Sequence, residues 1–120
     1  MDAEVHAKNS ARRYGGSYHD YLYVHKFMDQ CKAELGDVRH RLITHNAWFI
    51  SLAERILGSN LEVNGGRTVV PMRAILEDHV REDMGGHLPT LAENFQAITP
   101  EMIAGECGVF AAIQRHMEKV

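Results

Sequence analysis

A histidine occupies a position where an apolar side chain belongs. From Val38 to Ile56, the residues Val38, Leu42, His45, Phe49, Leu52 and Ile56 recur at spacings of three and four, the period of a helix that hides one face from water. The pattern predicts a helix over about 38–57, with Ile43, Ile50 and Leu57 as a second apolar line and Arg39 and Asn46 between the two lines. Such a helix is central and covered on two sides, so Arg39, His45 and Asn46 need polar partners. Because a helix turns by ~100° per residue, His40 lies ~140° away from His45 and falls on the polar face with Thr44 and Ser51.

The same reading organises the rest of the chain. Residues 3–14 form a short helix stopped by Gly15-Gly16, with His6, Ser10 and Arg13 in one row; glycine takes the left-handed conformation that ends helices. Ser17 caps a second helix, with Asp20 as its capping-box partner, running to about Leu35. It carries Tyr21, Val24, Met28, Cys31 and Leu35 on one stripe, and His25, Asp29 and Lys32 along the margin. The segment from Leu61 to Val70 contains Asn64-Gly65, which suits the turn of a β-hairpin. Pro71 then opens a helix to about Met84, whose inward face is Met72, Ile75, Leu76, His79, Val80 and Asp83. Thr90 to Glu93 is a capping box for a short helix. Thr99-Pro100 opens a last amphipathic one, with Met102, Val109, Phe110, Ile113 and Met117 aligned for the core or for a second subunit. The expected fold is mainly α: a compact bundle of about four to six helices with one small hairpin at about 61–70. Residues 1–120 make a single domain, with 99–120 as an assembly helix.

Composition narrows the function classes. A chain of 120 residues with a net charge of −3 can build one core and advertises no surface for DNA or RNA. Cys31 and Cys107 are far apart and form no C-x-x-C motif. No stretch approaches the ~20 apolar residues of a membrane span, and Met1-Asp2-Ala3-Glu4 opens no signal-peptide pattern, so a cytoplasmic location is expected.

The chemistry lies in two His-x-x-x-Asp pairs, His25/Asp29 and His79/Asp83. Each sets an imidazole and a carboxylate one helical turn apart on one face, which suits metal ligands, a hydrogen-bonded dyad or a local salt bridge. In the metal reading His25, His45, His79 and Asp83 hold a divalent ion such as zinc. Asp29 or Glu82 serves as general base or orienter. Arg39, Arg73, Lys32 and His6 are the candidate anion-binding residues, since cations and guanidinium groups hold phosphate or carboxylate. Arg41 and Arg81 are assigned to neutralising nearby acids. No G-x-S-x-G elbow or P-loop occurs.

Several runs carry a resemblance. His6-Ala7-Lys8-Asn9-Ser10-Ala11-Arg12-Arg13-Tyr14-Gly15-Gly16, Asp20-Tyr21, His25, Asp29 and Lys32 are followed by Asp37-Val38-Arg39-His40-Arg41, His45 and Val70-Pro71-Met72-Arg73. The last run is Glu77-Asp78-His79-Val80-Arg81-Glu82-Asp83-Met84-Gly85. Over about residues 5 to 90 the chain resembles a family of small proteins of bacteria and tailed phages without an established activity. Asn46 stands where that family's pattern has a second histidine, and Asn94-Phe95 where it has a Trp-containing segment. The resemblance implies a short, independent cytosolic protein of the kind phages carry.

Three functions are compatible with these residues. One is a metal-dependent hydrolase of a phosphate-bearing, nucleotide-like substrate. The second is a non-catalytic protein that sequesters a host nucleotide signal and so blunts a defence pathway. The third is a protein–protein inhibitor or adaptor, in which the His/Asp pairs are internal struts. The expected partners are a small anion or nucleotide and, through 99–120, a second copy of the chain.

Overall fold

A computed structural model describes residues 1–35 and 39–98. Among them are seven helices and one two-stranded sheet, in the order α1 Ala3–Tyr14, α2 Tyr18–Met28, α3 Lys32–Leu35, α4 His40–Thr44, α5 Ala47–Leu57, β1 Asn60–Val63, β2 Thr68–Pro71, α6 Met72–Asp83 and α7 Leu91–Gln96. The mainly helical fold with a small hairpin is the one the periodicities predict. The last helix expected over 99–120 lies outside the described residues.

Local chemistry sets most of the boundaries. Asp2 caps α1 by accepting from the Val5 N–H at 3.0 Å, and Gly15, at φ 92°, ends it. Ser17 and Asp20 form the expected capping box of α2. Asp20 Oδ2 also accepts from the Asn64 N–H at 3.2 Å, which pins the hairpin turn to the start of α2. Gly16 sits under this contact, where an added Cβ would come within 2.6 Å of Asp20 Oδ2. The hairpin is antiparallel, with Leu61 opposite Val70 and Val63 opposite Thr68. Its turn runs through Asn64, Gly65 and Gly66, all at positive φ.

The core is built from Tyr21, Val24 and Met28 of α2, Phe49, Ile50 and Ala53 of α5, and Met72, Ile75, Leu76 and Val80 of α6. The hairpin adds Leu61, Val63 and Val70. Helix α6 packs on α1, α2 and α5, and α7 packs on α4 and α5. Each fully buried Leu, Ile or Met contributes about 1.5–3 kcal/mol relative to an exposed one, so α6 is the main apolar anchor.

Two expected helices are broken, and the second break has a polar cause. The second stops at Met28, where Asp29 is the C-cap. The segment resumes as α3, so Lys32 is exposed on a separate turn instead of in a row with His25 and Asp29. The helix expected over 38–57 divides at His45-Asn46. Asn46 is fully buried; its Oδ1 accepts from the Phe49 N–H at 2.9 Å and its Nδ2 donates to the Ile43 carbonyl at 2.9 Å. One side chain thus closes α4 and opens α5, an N-cap role for which asparagine is favoured.

The break turns α4 relative to α5 and corrects the expected faces. His40, assigned to the polar side, is buried, whereas Ile56 and Trp48 of α5 are exposed. Asn94 of α7 secures the joint by donating from Nδ2 to the carbonyls of Leu42 at 3.2 Å and His45 at 3.0 Å. Replacing Asn46 by Ala removes the cap and leaves the Ile43 carbonyl without its donor. The expected loss is about 2 kcal/mol, read as a lower urea midpoint at constant m-value; an unchanged midpoint would contradict this account of the break.

Candidate metal centre

The helix breaks bring side chains from three parts of the fold to the carboxyl-terminal end of α6. His79 and Asp83 project from α6 one turn apart, Asp29 from the end of α2, and His45 from the α4–α5 joint. The His79 Nε2 lies 3.1 Å from Asp29 Oδ1 and 3.5 Å from Asp83 Oδ2. The His45 Nε2 lies 2.8 Å from Asp83 Oδ2 and 3.7 Å from Asp29 Oδ1. One atom from each of the four residues falls within 4.8 Å of all the others. Ligand atoms on a tetrahedral zinc at about 2.0–2.1 Å are ~3.4 Å apart, so these residues could hold such an ion with small adjustments.

Thr44 prepares His45 for that role. Its hydroxyl donates to the His40 carbonyl at 3.1 Å, as helical threonines do, and its oxygen therefore accepts from His45 Nδ1 at 2.8 Å. The ring proton is thereby placed on Nδ1, and Nε2 of the neutral ring is a lone pair directed at two carboxylates. That arrangement is repulsive unless a cation lies between them.

Around this group the charges are sorted. His6 bridges Glu82 Oε1 at 2.9 Å through Nδ1 and Asp83 Oδ1 at 3.1 Å through Nε2. With a carboxylate on each nitrogen it is the imidazolium of the cluster: burial opposes its charge, but Asp83 and Glu82 raise its pKa above 6.5. Glu82 also accepts from Asn9 at 2.9 Å and from Arg13 at 2.6 Å. Asp83, whose side chain is 1% exposed, has Arg41 at 3.5 Å. Burial alone would raise the Asp83 pKa, yet the bond from the His6 imidazolium and its charge hold it far below the ordinary range. For Asp29, the described ion-pair partners are imidazoles alone, those of His40, His45 and His79.

His25 stands behind His79 instead of beside the carboxylates. Its Nδ1 is 2.8 Å from His79 Nδ1 and its Nε2 is 2.8 Å from Ser10 Oγ. The His6 ring stacks on that of His79, with centroids 3.9 Å apart.

Of the residues singled out in the sequence, the structure brings together His6, His25, Asp29, His45, His79, Glu82 and Asp83. Asp29, expected as base or orienter, lies in the four-atom group, and His25, expected as a ligand, lies next to it. Glu82 faces α1. Arg73 is engaged by Ser51 at 3.1 Å and Glu54 at 3.3 Å, ten residues before Asp83, or ~15 Å along α6. Lys32 is exposed, and Arg39 is partly exposed at the N-cap of α4. Sequence reasoning missed His40, whose Nε2 is 3.6 Å from Asp29 Oδ1, as well as Thr44, Ser10 and Asn9. Ser10 alone left a signal, by sharing a helical row with His6.

The cluster makes stability depend on pH with a definite sign. Burial, reinforced by neighbouring imidazoles, lowers the pKa of His25 to about 2 and of His79 to about 4, and burial lowers that of His45. On unfolding these rings return to about 6.5 and take up protons, so the stability they contribute is complete above that value. It is lost as pH falls toward the folded values, by about 1.4 kcal/mol per pH unit for each ring in that window. His6 has the opposite sign: its contribution is complete below 6.5 and fades only as pH rises through its folded value. Asp29, Glu82 and Asp83, all lowered, add stability that is lost below about pH 4. The urea midpoint of the metal-free protein should therefore fall steeply between pH 6.5 and 4, and a flat profile would refute neutral burial of the three rings.

No curated protein and no solved structure matches the chain. A family model described as a domain of unknown function (DUF6915) matches residues 1–103, a span wider than the 5–90 of the sequence resemblance. That span contains every described helix and the whole His/Asp cluster, and the chain belongs to this family.

Proposed function

We propose that the protein is a metal-binding domain that holds one divalent ion of the zinc class on Asp29, His45, His79 and Asp83. The observation that carries this reading is the His45 ring, whose Nδ1 meets the Thr44 hydroxyl and whose Nε2 lies against the carboxylates of Asp83, 1% exposed, and Asp29, 11% exposed. Two imidazoles and two carboxylates are ligands suited to zinc. An ion there would add positive charge beside Asp29, whose described ion-pair partners are imidazoles alone, and would join the end of α2, the α4–α5 joint and α6.

Four protein ligands fill a tetrahedral shell, the mark of structural rather than catalytic zinc, so the ion's first role is to complete the fold. Hydrolysis of a phosphate-bearing substrate would require a ligand to withdraw and admit water. Asp29, at the end of α2 and the more exposed of the two carboxylates, is the ligand placed to do so. Hydrolysis or sequestration of a nucleotide would also need a cation beside the ion, and Arg41, partly exposed next to Asp83, is positioned for it.

Tag-free protein analysed for metals should contain one ion per chain. At free ion 1,000-fold above Kd the stabilisation is about 4 kcal/mol, so chelation should lower Tm by on the order of 15 °C for a domain of this size. Asp83→Asn and His45→Gln should abolish the chelator-sensitive part. Protein that takes up no metal, and whose Tm ignores chelator, overturns the reading. Turnover of a simple phosphodiester by the loaded protein would add the hydrolytic role.

A further inference from the structure

A second set of ring nitrogens adjoins the first: His6, His25 and His79 also offer atoms within 4.8 Å of one another, and all three side chains are fully buried. A second ion could claim them, or they could serve the first. A second ion would need His79 to bind through both nitrogens, as an imidazolate stripped of its last ring proton. It would also need a nitrogen of His6, yet both are taken by Glu82 and Asp83. The 2.8 Å between the Nδ1 atoms of His25 and His79 is the length of a hydrogen bond, and shorter than the ~3.4 Å between two ligands of one tetrahedral ion.

We infer that His25 and Ser10 form a directed hydrogen-bond support for a single ion, in which His79 Nδ1–H donates to His25 Nδ1 and His25 Nε2–H donates to Ser10 Oγ. The inference rests on the metal reading above and deepens it. Donation from Nδ1 leaves the His79 Nε2 as a lone pair facing Asp29 and Asp83, as Thr44 does for His45. Both imidazoles are thus fixed in the ligating tautomer by buried partners on their far sides, the arrangement by which outer groups tune a metal site. His25 is a positioning residue and not a ligand. Ser10, fully buried on α1, extends the support to the first helix, which supplies no ligand to the four-atom group.

Cobalt(II) titration of the full, tag-free chain tests this, because its visible spectrum reports both stoichiometry and ligand geometry. Wild type should bind one ion. His25→Leu, which fills the space but accepts no hydrogen bond, should bind one ion 10- to 100-fold more weakly. His25→Asn, whose amide oxygen replaces Nδ1 as acceptor, should recover most of that loss. In the zinc-loaded wild type, nitrogen NMR should show His79 protonated at Nδ1. Two ions per wild-type chain overturn the inference, as does His25→Leu binding like wild type. So does His25→Asn binding as weakly as His25→Leu when both keep the wild-type Tm in the metal-free state. Should the leucine variant not fold, the wild-type NMR decides: zinc on the Nδ1 of His79 overturns the inference. Wild type that binds no cobalt overturns the metal reading itself, whereas one ion with unchanged affinity in His25→Leu overturns the support alone.

Discussion

Asp83 carries a negative charge where water scarcely reaches it, and much of the molecule is arranged around that fact. An ion moved from water into a protein interior costs several kcal/mol unless partners replace the lost solvation. Here the charged partners are His6 on α1, Arg41 on α4 and the amino terminus, 3.2 Å from Asp83 Oδ1. None is near Asp83 in sequence, so the polar contacts that neutralise one carboxylate also fix the relative placement of three helices. The apolar face of α6, with Ile75, Leu76 and Val80 fully buried, supplies the adhesion, and Asp83 supplies the register.

The breaks in α2 and at His45 serve the same end. Ligands on a continuous helix stand in rows and approach one point only in i,i+4 pairs, as His79 and Asp83 do. Asp29 and His45 instead sit at helix ends, where the backbone is free to turn each side chain toward that pair. Asn46 and Asn94 satisfy the peptide groups that the second break exposes, which keeps the interruption from leaving buried donors and acceptors unpaired.

Much of this was legible in the residues. Period and caps located α1, the hairpin, α6 and α7, and rotation around a helix placed His79 and Asp83 inward beside apolar neighbours. The break at Asn46 was hidden because the apolar spacing runs unbroken across it, from Leu42 to Phe49, and a single asparagine reads equally as a helix residue or as a cap. His40 turns inward for the same reason: the helix whose rotation would put it on the polar face does not continue past His45. The role of Thr44 left no pattern to read, and Ser10 showed only the helical row it shares with His6, since a hydroxyl's partner is set by tertiary packing and not by spacing. The spacing puts His25 on the margin of the α2 stripe, but which of its nitrogens meets which neighbour depends on α1 and α6 together.

The distance in sequence between the partners of Asp83 has a consequence for how the molecule comes into being. His6 and Asp83 are separated by 77 residues, and a chain elongating at 5–20 residues per second presents the second about 4 to 15 seconds after the first. Throughout that interval α1 holds a histidine and an arginine whose carboxylates have not been made. Asn94, which ties the joint at His45, emerges later still. The amino-terminal half must therefore wait, and the cluster cannot close before Asp83 and Asn94 have emerged.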